Sequence, residues 1–423
     1  MKQDLDLVLR AAIGAADPAP LVSRALVDTP VTAALDRGRR VQVIAAGKCA
    51  DGMLRGLGDW SRYAGILRVG AADAAHPEPD ERSVASARRA LAIATGAAPD
   101  DVLLVLLSGG ASSMLALPAD GITLKDKRAT IRRLLLAGAA IGELNAVRKH
   151  LSAIKGGQLA AATRAGVVSL IVSDVVGDDL SVIASGPTVA DPSTFAEAVR
   201  VIEKRGGANA YPAAVTARLR RGVAGDLEET PKTGSDVFRR STARIVGGLR
   251  DALDAAARAA VERGYAVHLL AEPTTGEARI AATRLVTAAA ALTVAGGLAP
   301  LCVIAGGETT VTVRGRGRGG RNQELVLALA PLLGRLGPAV VAASLGTDGV
   351  DGPTDAAGAR VDSTTITRAQ AAGLAPARYL DDNNSYEFFK ALGDLIRTGP
   401  TGTNVGDLQV ILIGGPDPAR ASI

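Results

Sequence analysis

Five stretches of this chain end an apolar run in residues able to bind anions, hold cations or move protons, and a sixth leads into one. In "AAGKCADGM" (45–53), Lys48 follows Gly47 and precedes a helix, where it suits a phosphate or carboxylate as a point charge or stands as a solvated lysine. In "LLSGGASSMLALP" (106–118), Ser108, Gly109, Gly110, Ser112 and Ser113 offer backbone N–H groups and hydroxyls to an anion, or simply form a tight turn. A serine nucleophile is excluded there, since GxSxG is absent and the histidines are His76, His150 and His268. In "SDVVGDDLSVIASGPTVADPSTF" (173–195), Asp174, Asp178, Asp179 and Asp191 suit Mg²⁺ held through water or a general base. Singly, Asp179 also reads as a helix cap and Asp191 as a turn residue before Pro192.

The remaining three lie late in the chain. "GGETTV" (306–311) holds Glu308, and "GTDGVDGPTDAAG" (346–358) places Asp348, Asp351 and Asp355 among glycines and prolines, which suits a cation or substrate loop but also ordinary turns. "GPTGTNVGDLQVILIG" (399–414) brings Asn404 and Asp407 before a final strand. Between them, "RGRGRGGRNQEL" (314–325) superficially resembles a dinucleotide fingerprint. The acidic residue required about twenty positions later is missing, because the chain there reads "GPAVVAASLG". The reading retained is an anion cradle: Gly319, Gly320 and a helix opening at Arg321 present N–H groups to a phosphate, with Glu324 anchoring the first turn.

These residues must be positioned by strands and helices that alternate. Strands are predicted at 40–48, 101–110, 167–178, 266–270, 301–308 and 339–349, and helices at 81–95, 124–139, 248–264 and 277–292. Strand then helix, repeated, is the pattern of parallel α/β sheets, whose ligands bind beyond the carboxyl ends of the strands. Polar, Pro- and Gly-bearing sequence at 211–236 suggests a boundary, giving domains 1–235 and 236–423.

Composition narrows the function. With 423 residues, 48% hydrophobic and 2% aromatic, two cores built from Ala, Val, Leu and Ile are expected, without the stacking platforms of nucleic-acid binders. Basic residues number 48 against 43 acidic, a mild net charge of +5 that favours an anionic small molecule over nucleic acid. Cys49 and Cys302 form no CxxC pair, pointing to a reducing, cytoplasmic compartment. The N-terminus reads as an amphipathic helix rather than an export signal, and the alanine-rich stretch at 281–299, broken by Arg284, falls short of a membrane span. Neither a P-loop, a protein-kinase signature nor a zinc-ligand spacing is present.

Seven motifs taken together resemble the D-glycerate 2-kinases whose C-terminal part is the MOFRL domain: "AAGKCADGM", "LSGGASSMLALP", "LNAVRKHLSAIKGGQLA", "SDVVGDDLSVIASGPTVADPSTF", "GGETTVTVRGRGRGGRNQELVLALA", "GTDGVDGPTDAAGA" and "TGPTGTNVGDLQVIL". The resemblance spans residues 5 to 415. It implies a Rossmann-like parallel-sheet N-terminal domain, a smaller α/β C-terminal domain with the MOFRL region at about 300–415, and an interdomain cleft. The implied reaction is ATP-dependent, Mg²⁺-assisted phosphorylation of D-glycerate at the 2-hydroxyl. Lys48 and Arg321 match positions regarded as catalytic in that family, and Glu78 stands where a small apolar residue is expected between two prolines, beside His76, which reads as a substrate-side or a turn histidine.

A working site follows. Lys48 and Arg321 contact the transferring phosphoryl group or the glycerate carboxylate, and Asp191 orients the hydroxyl or takes its proton. Glu308, Asp348 and Asp351 hold Mg²⁺ directly or through water. Ser108, Gly109, Gly110, Ser112, Asn145, Gly319, Gly320 and Asn404 face substrate or phosphate oxygens. Relatives in this family are often labelled hydroxypyruvate reductases, a label the missing nicotinamide fingerprint argues against. The rival readings are that NAD(P)H-dependent reductase and a non-catalytic sugar-phosphate-binding module; the expected partners are D-glycerate and ATP, with a homodimer plausible.

Overall fold

Apolar runs in the first 250 residues become β1 (Val41–Ala46), β2 (Gly65–Val69), β3 (Val102–Leu107), β4 (Gly166–Val172) and β5 (Ser241–Gly247), in the order β2-β1-β3-β4-β5. The computed structural model describes residues 1–296 and 300–414. β1 runs parallel to β2 and β3, and β3 parallel to β4. Every residue of β3 is buried, as a central strand covered by helices on both faces requires. The helix Glu81–Gly96 lays Val84, Ala87, Ala90 and Ala94 against Ile44, Leu103 and Val105. Spacings of three and four residues put those small side chains on one face, so the helix approaches the sheet closely. A separate helical layer buries Leu134, Val147, Phe195, Ile202 and Val215.

The later strands are β6 (Ala266–Leu269), β7 (Thr274–Glu277), β8 (Leu301–Thr310), β9 (Val340–Gly346), β10 (Gly358–Asp362), β11 (Leu395–Ile396) and β12 (Asp407–Ile413). Their order is β11-β10-β9-β12-β8-β6, with β7 also on β8. This sheet is mixed: β6 and β7 run parallel to β8, whereas β12 is antiparallel to both β8 and β9, and β10 to β9 and β11. The parallel pattern expected from strand–helix alternation therefore fails for the second sheet. Its last strand inserts between two earlier ones, which no local periodicity encodes.

The chain divides into two compact units, Pro18–Val246 and Met1–Asp17 together with the chain from Gly247 onward. The expected boundary at 235/236 stops short of β5, which completes the first sheet, and the expected first domain wrongly claims the N-terminal helix Lys2–Ala15. That helix buries Leu5, Val8, Leu9 and Ala12 and packs on the helix Leu249–Val261 of the later sequence. An amphipathic stripe announces that a face is covered; it does not say by what. Among the described residues no helix is long and apolar enough to cross a membrane. The end of the 281–299 stretch and the chain beyond 414, with the last residue of the expected MOFRL region, lie outside the described residues.

Candidate functional site

At the carboxyl ends of β1 and β3 two turns are tied together. Gly47 has φ +122°, and a Cβ there would come within 2.3 Å of Ser108 Oγ. The Lys48 N–H donates to the Gly109 carbonyl at 2.8 Å, and the Cys49 N–H to Ser108 Oγ at 2.9 Å. Gly110 adopts φ +84°, and a Cβ on it would lie 3.1 Å from the His76 ring and 3.4 Å from Lys48 Cγ. Lys48, Gly110 and His76 thus converge, and Lys48 is exposed. Ser108 was expected to face phosphate oxygens; its hydroxyl is instead buried and accepts the bond that holds the two turns together. Ser112, half-buried, offers its carbonyl to Lys155 Nζ at 2.6 Å.

Asp191 is not placed as a base. Fully buried, it pairs with buried Lys149 at 3.0 Å, and accepts further bonds from Thr230 Oγ1 (2.9 Å), Ser193 N (2.9 Å) and Ser193 Oγ (2.7 Å). Burial opposes its charge, but the Lys149 cation and the Ser193 bonds outweigh burial and hold the carboxyl below its ordinary value. Asp191 therefore secures loops. Asn145 is likewise buried: its Oδ1 accepts from Ser185 Oγ at 3.0 Å, and its Nδ2 has no hydrogen-bond partner. Ser185 lies in a stretch, Ala184 to Gly186, with three successive positive φ values of 52°, 60° and 57°.

In the other unit the sheet register builds a second centre. Asp407, first in β12, sits opposite Gly307 of β8 and Gly346 of β9. Arg321, first in the helix Arg321–Leu329, grips its carboxylate with Nε (2.6 Å) and Nη2 (3.0 Å), and reaches Glu308 Oε1 with Nη1 (2.6 Å). Burial disfavours the Arg321 charge, yet the bond and charge of Asp407, with Glu308 and Asp351 beyond, raise its pKa above an already high value. Arg321 is a permanent cation. Asn404 lies half-buried in the loop leading to β12.

The anion cradle expected at Gly319, Gly320 and Arg321 is filled by the protein itself. Asp351, buried, accepts from the N–H of Asn322 (3.1 Å) and of Gln323 (2.9 Å), so its carboxylate takes the first-turn donors proposed for a phosphate. Burial pushes the Asp351 carboxyl up to about 6, against the pull of those two N–H groups. A Cβ on Gly320 would come within 2.3 Å of the Asp351 carboxylate, and one on Gly319 within 2.1 Å of Ser385 Oγ. Glu324, proposed to anchor the first turn, is buried and accepts from Arg279 Nε (2.8 Å) and Asn383 Nδ2 (3.0 Å).

Glu308, Asp348 and Asp351, expected to hold Mg²⁺, are each engaged by different groups. Glu308 is held by Arg321, Asp351 caps a helix, and Asp348 Oδ1 accepts from the Val350 N–H at 3.1 Å. Among the described residues no three His, Cys, Asp or Glu side chains are grouped to hold a cation.

The Gly-Arg alternation has a packing cause. Cβ atoms on Gly315 and Gly317 would come within 2.3 Å of Asp382 and Asn384, while Arg314, Arg316 and Arg318 are exposed, the Arg318 guanidinium lying over the Tyr386 ring at 4.5 Å. The backbone is pinned along this run: Asn383 Oδ1 accepts from the N–H of Arg314 and Gly315, Asp382 Oδ1 from Arg316, and Asn384 Oδ1 from Arg318.

Sequence reasoning missed a cationic cavity of about 500 Å³ in the first unit, lined by Lys127, Arg128, Arg132, Arg148 and Lys155. The available signal was "LKDKRATIRRLLL", where Arg128 and Arg132 stand four apart on a helix, a like-charge spacing that costs stability.

Comparison with known proteins gives a family model described as a domain of unknown function (DUF4147) over residues 4–220, and the MOFRL family model over 301–407. A glycerate 2-kinase of Pyrococcus horikoshii is 38% identical, covering 88% of this chain and 87% of its own. A D-glycerate 2-kinase of Thermotoga maritima is 41% identical, covering 81% and 79%. An Agrobacterium vitis protein provisionally named hydroxypyruvate reductase is 42% identical over 98% of this chain and 94% of its own. The crystal structure of glycerate kinase from Thermotoga maritima superposes with TM-score 0.80 at 36% identity, covering 98% of this chain and 99% of that one.

Proposed function

We infer the activity of this chain from the family to which it belongs, the glycerate 2-kinases that join a DUF4147 domain to a MOFRL domain: it transfers the terminal phosphoryl group of ATP to the 2-hydroxyl of D-glycerate, giving 2-phosphoglycerate and ADP. The observation that carries this reading is the exposed Lys48 at the carboxyl end of β1, its backbone held by Gly109 and its stem against Gly110. That is where a parallel sheet gathers an anionic ligand.

The glycerate 2-oxygen attacks the γ-phosphorus as the bond to the β,γ-bridging oxygen breaks, and ADP leaves with that electron pair. A loose transition state places little charge on the attacking oxygen, so the hydroxyl proton leaves late, to water or to an oxygen of the transferred phosphoryl group, and a buried, fully bonded Asp191 is not required to take it. Lys48 neutralises charge on the phosphoryl oxygens. Arg321 has five N–H donors, of which three are engaged by Asp407 and Glu308. One on each terminal nitrogen is left for a phosphoryl or carboxylate oxygen. Mg²⁺ belongs to this reading as the companion of ATP, but Glu308, Asp348 and Asp351 do not fit as its ligands and no step is assigned to them as such.

³¹P NMR of the products from ATP, Mg²⁺ and D-glycerate tests the reading, because it reports both ADP and the phosphorylated carbon. A 2-phosphoglycerate resonance is expected. The reductase name of the Agrobacterium vitis relative supplies the competing outcome, NADH oxidation by hydroxypyruvate without ATP, which would displace the kinase reading.

A further inference from the structure

We propose that the cationic cavity of the first unit is the seat of the nucleotide, its basic side chains taking the polyphosphate and its apolar lining the base. This rests on the kinase reading and deepens it. On the helix Leu124–Leu136, Lys127, Arg128, Ile131, Arg132 and Leu135 fall at spacings that share one face. That face lines the cavity, which Arg148 and Lys155 close with two more cations. Against five positive groups the lining holds one carboxylate, Glu78, and that is paired with Arg128 at 2.7 Å. A surplus of this size matches a polyphosphate better than a single carboxylate.

Two cations behave differently inside. Lys155 Nζ, buried, donates to the carbonyls of Ser112 (2.6 Å) and Leu115 (3.0 Å), so it fastens the turn after β3. Lys127 is 3% exposed and its Nζ has no hydrogen-bond partner. An unpartnered buried ammonium is among the costliest groups a fold can carry, and the fold gains nothing from it unless a ligand supplies the missing anion. Burial and the charge of Arg148 together push its pKa down to about 7.

Apolar lining comes from Pro77, Pro79 and Ala116, and from Ile131 and Leu135 on the cationic helix face itself, Leu135 being 56% exposed. A cavity of about 500 Å³ with both charged and apolar lining lies within the range that holds a small ligand. Its position fits the chemistry. Pro77 follows His76, which lies against Gly110, and Ser112 and Ser113 follow Gly110 by two and three residues. A polyphosphate seated here extends toward the turn beside Lys48.

Calorimetric titration of the full-length protein with ADP, with tripolyphosphate and with D-glycerate, on wild type, Lys127→Met and Arg132→Ala, tests the assignment, each variant being melted alongside. The dissociation constants for ADP and tripolyphosphate should rise at least about tenfold in Lys127→Met and less in the exposed Arg132→Ala, with D-glycerate unchanged. Lys127→Met should melt no lower than wild type, which a structural lysine would not allow. ADP affinities within twofold of wild type in both variants would overturn the proposal, and so would loss of D-glycerate binding with ADP unaffected. If ADP binding depends on these residues but ³¹P NMR detects no phosphoglycerate, the kinase reading falls and the cavity stands; if 2-phosphoglycerate forms while ADP ignores both substitutions, the reverse holds.

Discussion

Arg321 holds Asp407 by two parallel bonds, Nε to Oδ2 at 2.6 Å and Nη2 to Oδ1 at 3.0 Å, and Asp407 is wholly buried. Truncating the arginine leaves a buried carboxylate unpaired, so Arg321→Ala should lose about 3–5 kcal/mol of stability as well as activity. Arg321→Lys separates the two effects. It keeps a cation beside Asp407 but cannot copy the fork or turn a further N–H toward substrate. Melting close to wild type with turnover reduced about 100-fold or more is expected; turnover within a few-fold would place Arg321 outside the reacting groups.

Lys48 is exposed, and its backbone N–H ties the turn to Gly109 whatever side chain the position carries. Lys48→Ala should keep that backbone bond while kcat/KM with ATP and D-glycerate falls about 100-fold or more. Full activity in steady-state kinetics would remove Lys48 from the transition state.

Asp191→Asn distinguishes an anchor from a base. An anchor pairing Lys149 in the interior costs stability when its charge is removed, on the order of 3–5 kcal/mol, because the ammonium is stranded. The folded fraction should then turn over with an unchanged pH profile. A base would show the opposite: intact melting, kcat down by a factor of about 100 or more, and loss of the acidic limb of the profile.

These outcomes follow how far each residue could be read from its neighbours in sequence. Of the first sheet, β1, β3 and β4 were legible because long apolar runs are local, as was the exposed Lys48 at the end of β1, whereas the part-exposed edge strands β2 and β5 were not. Asp351 was not, since its carboxylate reaches the N–H groups of Asn322 and Gln323 from 29 and 28 residues away. The same holds for Asp407, brought between Gly307 and Gly346 by the antiparallel insertion of β12. The Gly-Arg run misled for a related reason. Gly319 and Gly320 read as a cradle for an anion, but the space beside them is filled by Ser385 and Asp351, distant in sequence. Asp191 looked like a free carboxylate because Lys149, 42 residues earlier, carries no local sign of pairing with it.

Lys127 gives a pH dependence whose sign can be worked out. Its pKa is pushed down to about 7 in the folded chain from 10.5 in the unfolded one, by burial first and by Arg148 second. Between those values the unfolded chain binds the extra proton, so stability rises with pH across that window. The penalty of charging Lys127 is fully present below about pH 7 and gone above about pH 10.5. Pairing raises Arg128 and lowers Glu78, so that ion pair persists across the range, whereas Lys155 is itself pushed well below its ordinary value by burial, then by Lys127 and Arg148. Lys127→Met removes the Lys127 share of this dependence and relieves part of the Lys155 share. It should therefore be more stable than wild type by several kcal/mol at pH 6, and the gap should close as urea midpoints are compared at pH 8 and pH 10. A gap that stays constant from pH 6 to pH 10 would mean that the Lys127 ammonium is already compensated in the folded protein.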